Sequence, residues 1–466
     1  MKVALIHPAI YNESPTAEKE IKVVPSVNMP LGILYLGQIL KNNGHKINLY
    51  DHYVSGKSID EMVAWVNGIK PDVLGISVLS GSYHTANAIA KKAKNINPNL
   101  VIIYGSYLPT LCAPNILKEC DFVDFCVRGE GEQTLVELMD ALERNGPLDA
   151  IKGISYRKNG KIIETPDRPQ IKDLDSIPIP DRKLLQQDYK FHDKITSMIL
   201  SRGCPYNCTF CSCWKYCKGK WRPRSIEHVI EELQILYNDG FREIMFTDDC
   251  FNASRKRILK LCYLMRKERL DFVWHCIGRV DRSDKKFLRT MVKAGCKTIY
   301  YGIESANQRI LDYYRKKATP EQAVLAVKNS KKAGVESIGS GFIIGAPDET
   351  KEEILNTVKF GLRLQKLGLT ALQFQLLYVT VGTAIYDEYV AKGYLDPEKD
   401  WNKQITAVSR SPNAVSASYL EILARRAYRD FMSNTSFVLS EFLKTLRSSY
   451  RLRIVNSLLS RANRDV

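Results

Sequence analysis

The chain has 466 residues, 45% hydrophobic and 26% charged, and its 68 Lys and Arg against 51 Asp and Glu give a formal net charge of +17. That length predicts two or three domains rather than one core, and no apolar run is long enough to read as a membrane-crossing helix. The positive charge is spread without a long block of like charges, so it suits anionic cofactors and gives no reason to expect nucleic acid.

The opening stretch, MKVALIHPAI, reads as a first β-strand rather than a signal peptide, so a cytoplasmic protein with reduced cysteines is expected. From residue 1 to about 150, apolar runs alternate with amphipathic helical stretches: KVALIHP, KINLYD, DVLGISV, VIIYGS and DFCVRGEGE. This is the pattern of βαβ units around a doubly wound parallel sheet, which binds ligands beyond the carboxyl ends of its strands. Residues 151–193 carry proline and hairpin signals and are expected to be a linker with a short β-ribbon.

A second α/β series follows over 194–395, with strands TSMILSRG, EIMFTDD, FVWHCIG, TIYYGIES, SIGSGFIIG and ALQFQLLYVT. Six such strands predict a partial (β/α)6 TIM barrel whose active face is at the strand carboxyl ends. Residues 396–466 are basic and helical, with apolar faces such as FVLSEFLKTL, and predict a C-terminal helical domain.

Just after the first of those six strands stands SRGCPYNCTFCSCWKYC, residues 201–217. Cys204, Cys208 and Cys211 have the spacing C-x3-C-x2-C. Three soft thiolates on one loop suit an iron–sulfur cluster with one iron left open, whereas structural zinc normally takes four ligands. Cys213 and Cys217 fall outside the triplet and read as spare buried thiols or as members of a shifted ligand set.

The triplet, followed at later strand ends by FTDDCF, GIESANQRIL and GSGFIIGAPDET, resembles the radical S-adenosylmethionine (SAM) enzymes over about 195–395. The resemblance implies a [4Fe-4S] cluster on Cys204, Cys208 and Cys211, with SAM chelated at the open iron and cleaved to a 5'-deoxyadenosyl radical. It implies SAM contacts at Phe210, Asp248 and Asp249 (ammonium), Arg279 (carboxylate), Glu304 (ribose or ammonium) and the adenine-supporting strand at Gly341, Ile343 and Gly345. There Asp348 stands for the usual glutamate of G-x-I-x-G-x-x-E. Singly, each acid reads equally well as a helix cap and the arginine as a surface ion pair.

The front half, through MPLGILYLGQILKNNGH, DVLGISVLS, VIIYGSYLPT and VRGEGEQTL, resembles the cobalamin-binding domain joined to many radical SAM enzymes. Small residues let a macrocycle approach the backbone, so Ser77, Ser80, Gly105, Gly129, Glu130 and Gly131 are the expected contacts. No D-x-H-x-x-G loop follows the first strand. The lower cobalt face would then meet the loop from Tyr104 through Gly105, Ser106 and Tyr107 to Leu108, where a tyrosine would ligate cobalt, shield it or simply pack. His52 reads as a loop residue, and RGEGE is not a dinucleotide fingerprint.

Together the two resemblances imply a cobalamin-dependent radical SAM methyltransferase, with methylcobalamin as methyl donor and a flavodoxin- or ferredoxin-type reductant. Similar enzymes methylate carbon atoms of peptides or proteins, including methyl-coenzyme M reductase. Relatives that cyclise instead, a methylthiotransferase with a second cluster on Cys112, Cys120 and Cys126, and a non-catalytic corrinoid or electron carrier are the rival readings. Tyr300, Tyr301, Gln373, Gln375 and Tyr378 are the candidates to touch substrate, and the basic C-terminal helices to meet a peptide, a partner protein or a membrane surface.

Overall fold

The computed structural model describes residues 1–10, 29–185, 187, 195–403, 405–410 and 415–452. The chain forms two compact units, neither of them a single stretch of sequence. The first unit takes Met1–Tyr189, Ser212–His228 and Thr380–Gln404, and the second takes Lys190–Cys211, Val229–Val379 and Ile405–Val466.

The first unit is built on a seven-stranded sheet. Its parallel strands are β1 (Lys2–His7), β2 (Lys46–Asp51), β3 (Val73–Ser77), β4 (Val101–Gly105) and β5 (Phe125–Val127), in the order β2-β1-β3-β4-β5. Helices on both faces explain the unbroken apolar runs: Val3, Ala4, Leu5 and Ile6 of β1 are all buried. The strand order reverses at β1, which opens a ligand crevice beyond the carboxyl ends of β1 and β3. The expected linker is part of this sheet, because its hairpin of β6 (Ile154–Lys158) and β7 (Lys161–Glu164) pairs antiparallel with β5.

The second unit carries six parallel strands in chain order: β8 (Ile195–Met198), β9 (Glu243–Phe246), β10 (Val273–Gly278), β11 (Cys296–Glu304), β12 (Ser337–Ile344) and β13 (Ala371–Leu376). Helices such as Arg255–Lys267, Pro320–Ala333 and Lys351–Leu367 return each strand to the next. Tyr300 pairs with Gly339, Gly302 with Gly341, Gly341 in turn with Gln373, and Ile343 with Gln375, so these positions share one face of the sheet. The helix Ala417–Met432 packs Leu420 beside Ile344, Ile354 and Leu376, and the helix Thr435–Leu446 follows it. The C-terminal helices are therefore part of the second unit's fold, and residues 453–466 of the expected helical domain lie outside the described residues.

Candidate functional site

In the second unit the cysteine loop leaves β8 and is pinned along its length. The Leu200 N–H donates to both oxygens of Asp248 (3.1 and 3.0 Å), and the Ser201 hydroxyl donates to the same carboxylate. Gly203 N–H donates to Asp249 Oδ2 (2.9 Å), and Thr209 donates through its N–H to Tyr314 O and through its hydroxyl to Tyr313 O. Cys211 N–H closes a turn on Cys208 O at 3.1 Å. Burial pushes the Asp248 carboxyl up to about 6, against the hydrogen bonds from Ser201 and Leu200. Asp248, expected at the SAM ammonium, is thus buried as the brace of the loop, while Asp249 is exposed beside it.

Of the twelve cysteines, eight are buried, and only Cys204, Cys208, Cys211 and Cys213 are partly exposed. A hydrogen bond from Cys250 brings the Cys204 thiol down to about 7, whereas burial raises Cys208 against the nearby charges of Lys316 and Arg279. Three accessible soft donors on a fixed loop, flanked by two cations, fit the negative charge of a thiolate-bound iron–sulfur cluster. Cys213 and Cys217, 3.5 Å apart at their sulfurs, belong to the first unit with the helix Cys213–Tyr216.

Arg279 follows β10 and ties neighbouring loops together. Its Nε donates to Asp281 (2.9 Å), its Nη2 to the carbonyls of Lys316 and Lys317 (2.6 and 3.1 Å), and its guanidinium lies 3.7 Å from the centre of the Tyr206 ring. Glu304, at the end of β11 with φ +69°, is paired with Lys316 at 2.7 Å, both side chains being 10% exposed. A Cβ at Gly302 would collide with the Glu304 carboxylate, so the glycine of GIES makes room for this pair. Phe210 packs edge-on against Tyr314, with Lys316 Nζ 5.9 Å from its ring centre. Lys316 was not singled out from the sequence, where it sits in RKK and reads as one of a solvated run.

On β12, a Cβ at Gly339 would lie 2.6 Å from the Tyr300 ring and one at Gly341 would lie 3.0 Å from its hydroxyl, so the bare backbone is what seats Tyr300. Ile343 is partly exposed on the same face. The carboxylate that closes the following turn is Glu349, not Asp348. Its Oε2 accepts the N–H of Gly345 (2.7 Å) and of Ala346 (3.0 Å), while Oε1 is buried with no hydrogen-bond partner among the described residues. Asp348 instead takes a left-handed φ of +59°, adding one residue to the turn, and burial pushes Glu349 up to about 7.

The substrate candidates separate by strand alternation. Gln373, Gln375 and Tyr378 are exposed and Tyr300 is partly so. Tyr301 points the other way, fully buried with its hydroxyl 2.9 Å from Ser330, and is a core residue.

In the first unit, Ser77 and Ser80 are partly exposed at the carboxyl edge of the sheet, and a Cβ at Gly105 or Gly129 would meet nothing within 4 Å. Val78 N–H donates to Gly105 O, and Ser106, with φ +84°, turns the chain into the helix Tyr107–Glu119. This open backbone edge fits the broad face of a corrin ring.

Several side chains expected there are committed elsewhere. Tyr104 is fully buried and donates to Asn87 Oδ1 at 2.9 Å, so its phenol is packed in the core. Leu108 is also fully buried. Tyr107 donates to Val381 O at 2.6 Å, and Glu130 accepts from Arg222 (2.8 and 2.9 Å) and from Ile171 N–H. Gly129 N–H donates to Thr110, and Gly131 sits against Leu36. His52 spends Nδ1 on Ala9 N–H and Nε2 on Lys57 O. Cys112, Cys120 and Cys126 are buried in the core.

Two family models match the chain: the radical SAM superfamily over residues 198–361 and the B12 binding domain over residues 21–139. It is 37% identical over 436 residues to an uncharacterized methyltransferase of Pyrococcus horikoshii, covering 92% of both chains. It is 30% identical over 344 residues to the anaerobic magnesium-protoporphyrin IX monomethyl ester cyclase of Rubrivivax gelatinosus, covering 71% of this chain and 61% of that one.

Its fold is similar to that of the cobalamin-dependent radical SAM enzyme OxsB (TM-score 0.72, 19% identity, 99% of this chain and 75% of that chain). It is similar also to the methyltransferase TsrM of Kitasatospora setae (TM-score 0.69, 17% identity, 84% and 78%). The chain belongs to the cobalamin-dependent radical SAM methyltransferase family. Its cofactors are a [4Fe-4S] cluster, SAM and cobalamin.

Proposed function

We propose that the protein transfers a methyl group from SAM to an unactivated carbon of a peptide or protein residue, such as one in methyl-coenzyme M reductase, and that Cys204, Cys208 and Cys211 hold the cluster. The observation that carries this reading is the accessible thiol trio on a pinned loop beside the Glu304–Lys316 pair and Arg279. When bound, the cluster and SAM supply a carbon-centred radical, and the corrinoid carries the methyl group.

The chain's residues bind and orient. Asp249 and Glu304 offer carboxylates to the SAM ammonium and ribose, Lys316 and Arg279 offer positive charge to its carboxylate, and Phe210 with Gly341, Ile343 and Gly345 borders the adenine. Gly105, Ser106 and Gly129, with Ser77, Ser80 and Gly131, form the corrin edge. Tyr300, Gln373, Gln375 and Tyr378 offer amide and phenol groups to peptide carbonyls. A one-electron reductant of flavodoxin or ferredoxin type completes the system.

The likeness to a cyclase supports a second reading, in which the same site rearranges its substrate without methylating it. Anaerobic turnover with methyl-labelled SAM separates the two. Methyl transfer gives S-adenosylhomocysteine together with 5'-deoxyadenosine and labelled product; 5'-deoxyadenosine without S-adenosylhomocysteine refutes it. Cys204→Ala is expected to abolish iron retention and SAM cleavage while Cys213→Ser retains both, and the reverse outcome moves the ligand set by one cysteine.

A further inference from the structure

Half of the exposed large hydrophobic side chains among the described residues fall between Ile422 and Leu446, on the helices Ala417–Met432 and Thr435–Leu446. The second helix is inside out. Val438, Leu439, Phe442, Leu443 and Leu446, spaced to share one arc, are all exposed. Its other side carries Phe437, packed 5.0 Å from Phe431, and Glu441, paired with Lys444 and Arg451.

The first helix buries Leu420, Ala427 and Phe431 and turns Ile422, Arg425, Tyr428, Arg429 and Met432 outward. Arg425, Arg429 and Arg447 are exposed and make no ion pair among the described residues. From Ala417 to Leu452 basic residues outnumber acidic ones two to one.

We infer that the outward faces of these two helices dock on the surface of an anionic lipid bilayer. A contiguous exposed apolar surface is not left to water without a reason. The arc on the second helix holds aliphatic side chains and one phenylalanine, with the hydroxyl of Thr435 at its amino-terminal end as its one polar group, which matches an acyl layer. The arginines and Tyr428 supply what the headgroup level asks for: positive charge for the anionic phosphates and an amphipathic ring for the interface. Neither helix is long and apolar enough to cross a bilayer, so the contact lies in the surface plane. The docking is independent of the reaction and holds whether the enzyme methylates or cyclises.

The test is flotation of the full chain with vesicles of phosphatidylcholine alone or mixed with phosphatidylglycerol. The expected result is retention on the mixed vesicles at least about tenfold above that on phosphatidylcholine, falling as salt is added. Leu439→Ser/Phe442→Ser/Leu443→Ser, which changes exposed side chains only, should abolish retention with an unchanged melting profile. Arg425→Glu/Arg429→Glu should lower it by about tenfold or more and remove its salt dependence. No retention on anionic vesicles, or retention that survives the triple substitution, overturns the inference. A wild-type dimer that the triple variant turns into a monomer would assign the face to a second copy of the chain and overturns it as well.

Discussion

The carboxyl edges of the two sheets handle polar side chains in opposite ways. In the first unit, Tyr104, Tyr107, Glu130 and His52 are all occupied by other parts of the protein, while among the described residues Ser77, Ser80, Gly105 and Gly129 stay open at that edge. In the second unit the edge keeps its charges and thiols at hand: three accessible cysteines, Asp249 exposed, and a buried cation and anion joined to each other. A large, flat, neutral-bodied ligand is best met by shape and backbone, and a small zwitterion on an anionic cluster by charge and sulfur.

The largest test of that contrast is Lys316→Met. Removing one partner of a buried ion pair leaves the other charge uncompensated, so the second unit should lose about 3–5 kcal/mol of stability, read as a lower denaturant midpoint for the transition exposing the buried Trp274. Glu304→Gln added to Lys316→Met should restore most of the loss. A single variant as stable as the parent would mean that the pair is hydrated and the edges are alike.

Next in size is the pH response of Glu349. Its folded pKa of about 7 lies above its ordinary 4.5, so between those values the folded chain holds a proton that the unfolded chain has lost. Stability from this group is full below about pH 4.5, falls as pH rises to about 7 and is level above, a change on the order of 3 kcal/mol. Glu349→Gln should flatten that part of the stability profile, and an unaltered slope would remove Glu349 from the list of buried acids.

The smallest expected effect is in the first unit. Tyr104→Phe loses one hydrogen bond, worth about 1 kcal/mol, and should leave corrinoid affinity unchanged. A tenfold fall in that affinity would put a metal-facing phenol back at this edge.

Much of the fold was legible in the sequence because each strand of the second unit is a short apolar run ended by a loop, and their order in the sheet is their order in the chain. The β6–β7 hairpin was legible as a ribbon, but its turn residues carry no information about which sheet edge it joins. Tyr104 was ambiguous for a related reason: both faces of a parallel strand are buried, so alternation does not say which way a residue points. Lys316 and Glu349 escaped notice because their roles arise from three-dimensional closure. One lysine of a charged run turns inward to a carboxylate twelve positions earlier, and a left-handed residue at 348 shifts the turn's acceptor by one.

The division of the first unit into three stretches bears on how the protein is made. Tyr107 finds its acceptor at Val381 and Glu130 finds its guanidinium at Arg222, long after both have left the ribosome. That unit cannot close until its third stretch, Thr380–Gln404, has been made, so its sheet is synthesised well before the segments that fasten it. A fragment cut at residue 190 would carry the sheet without the fastenings that complete it.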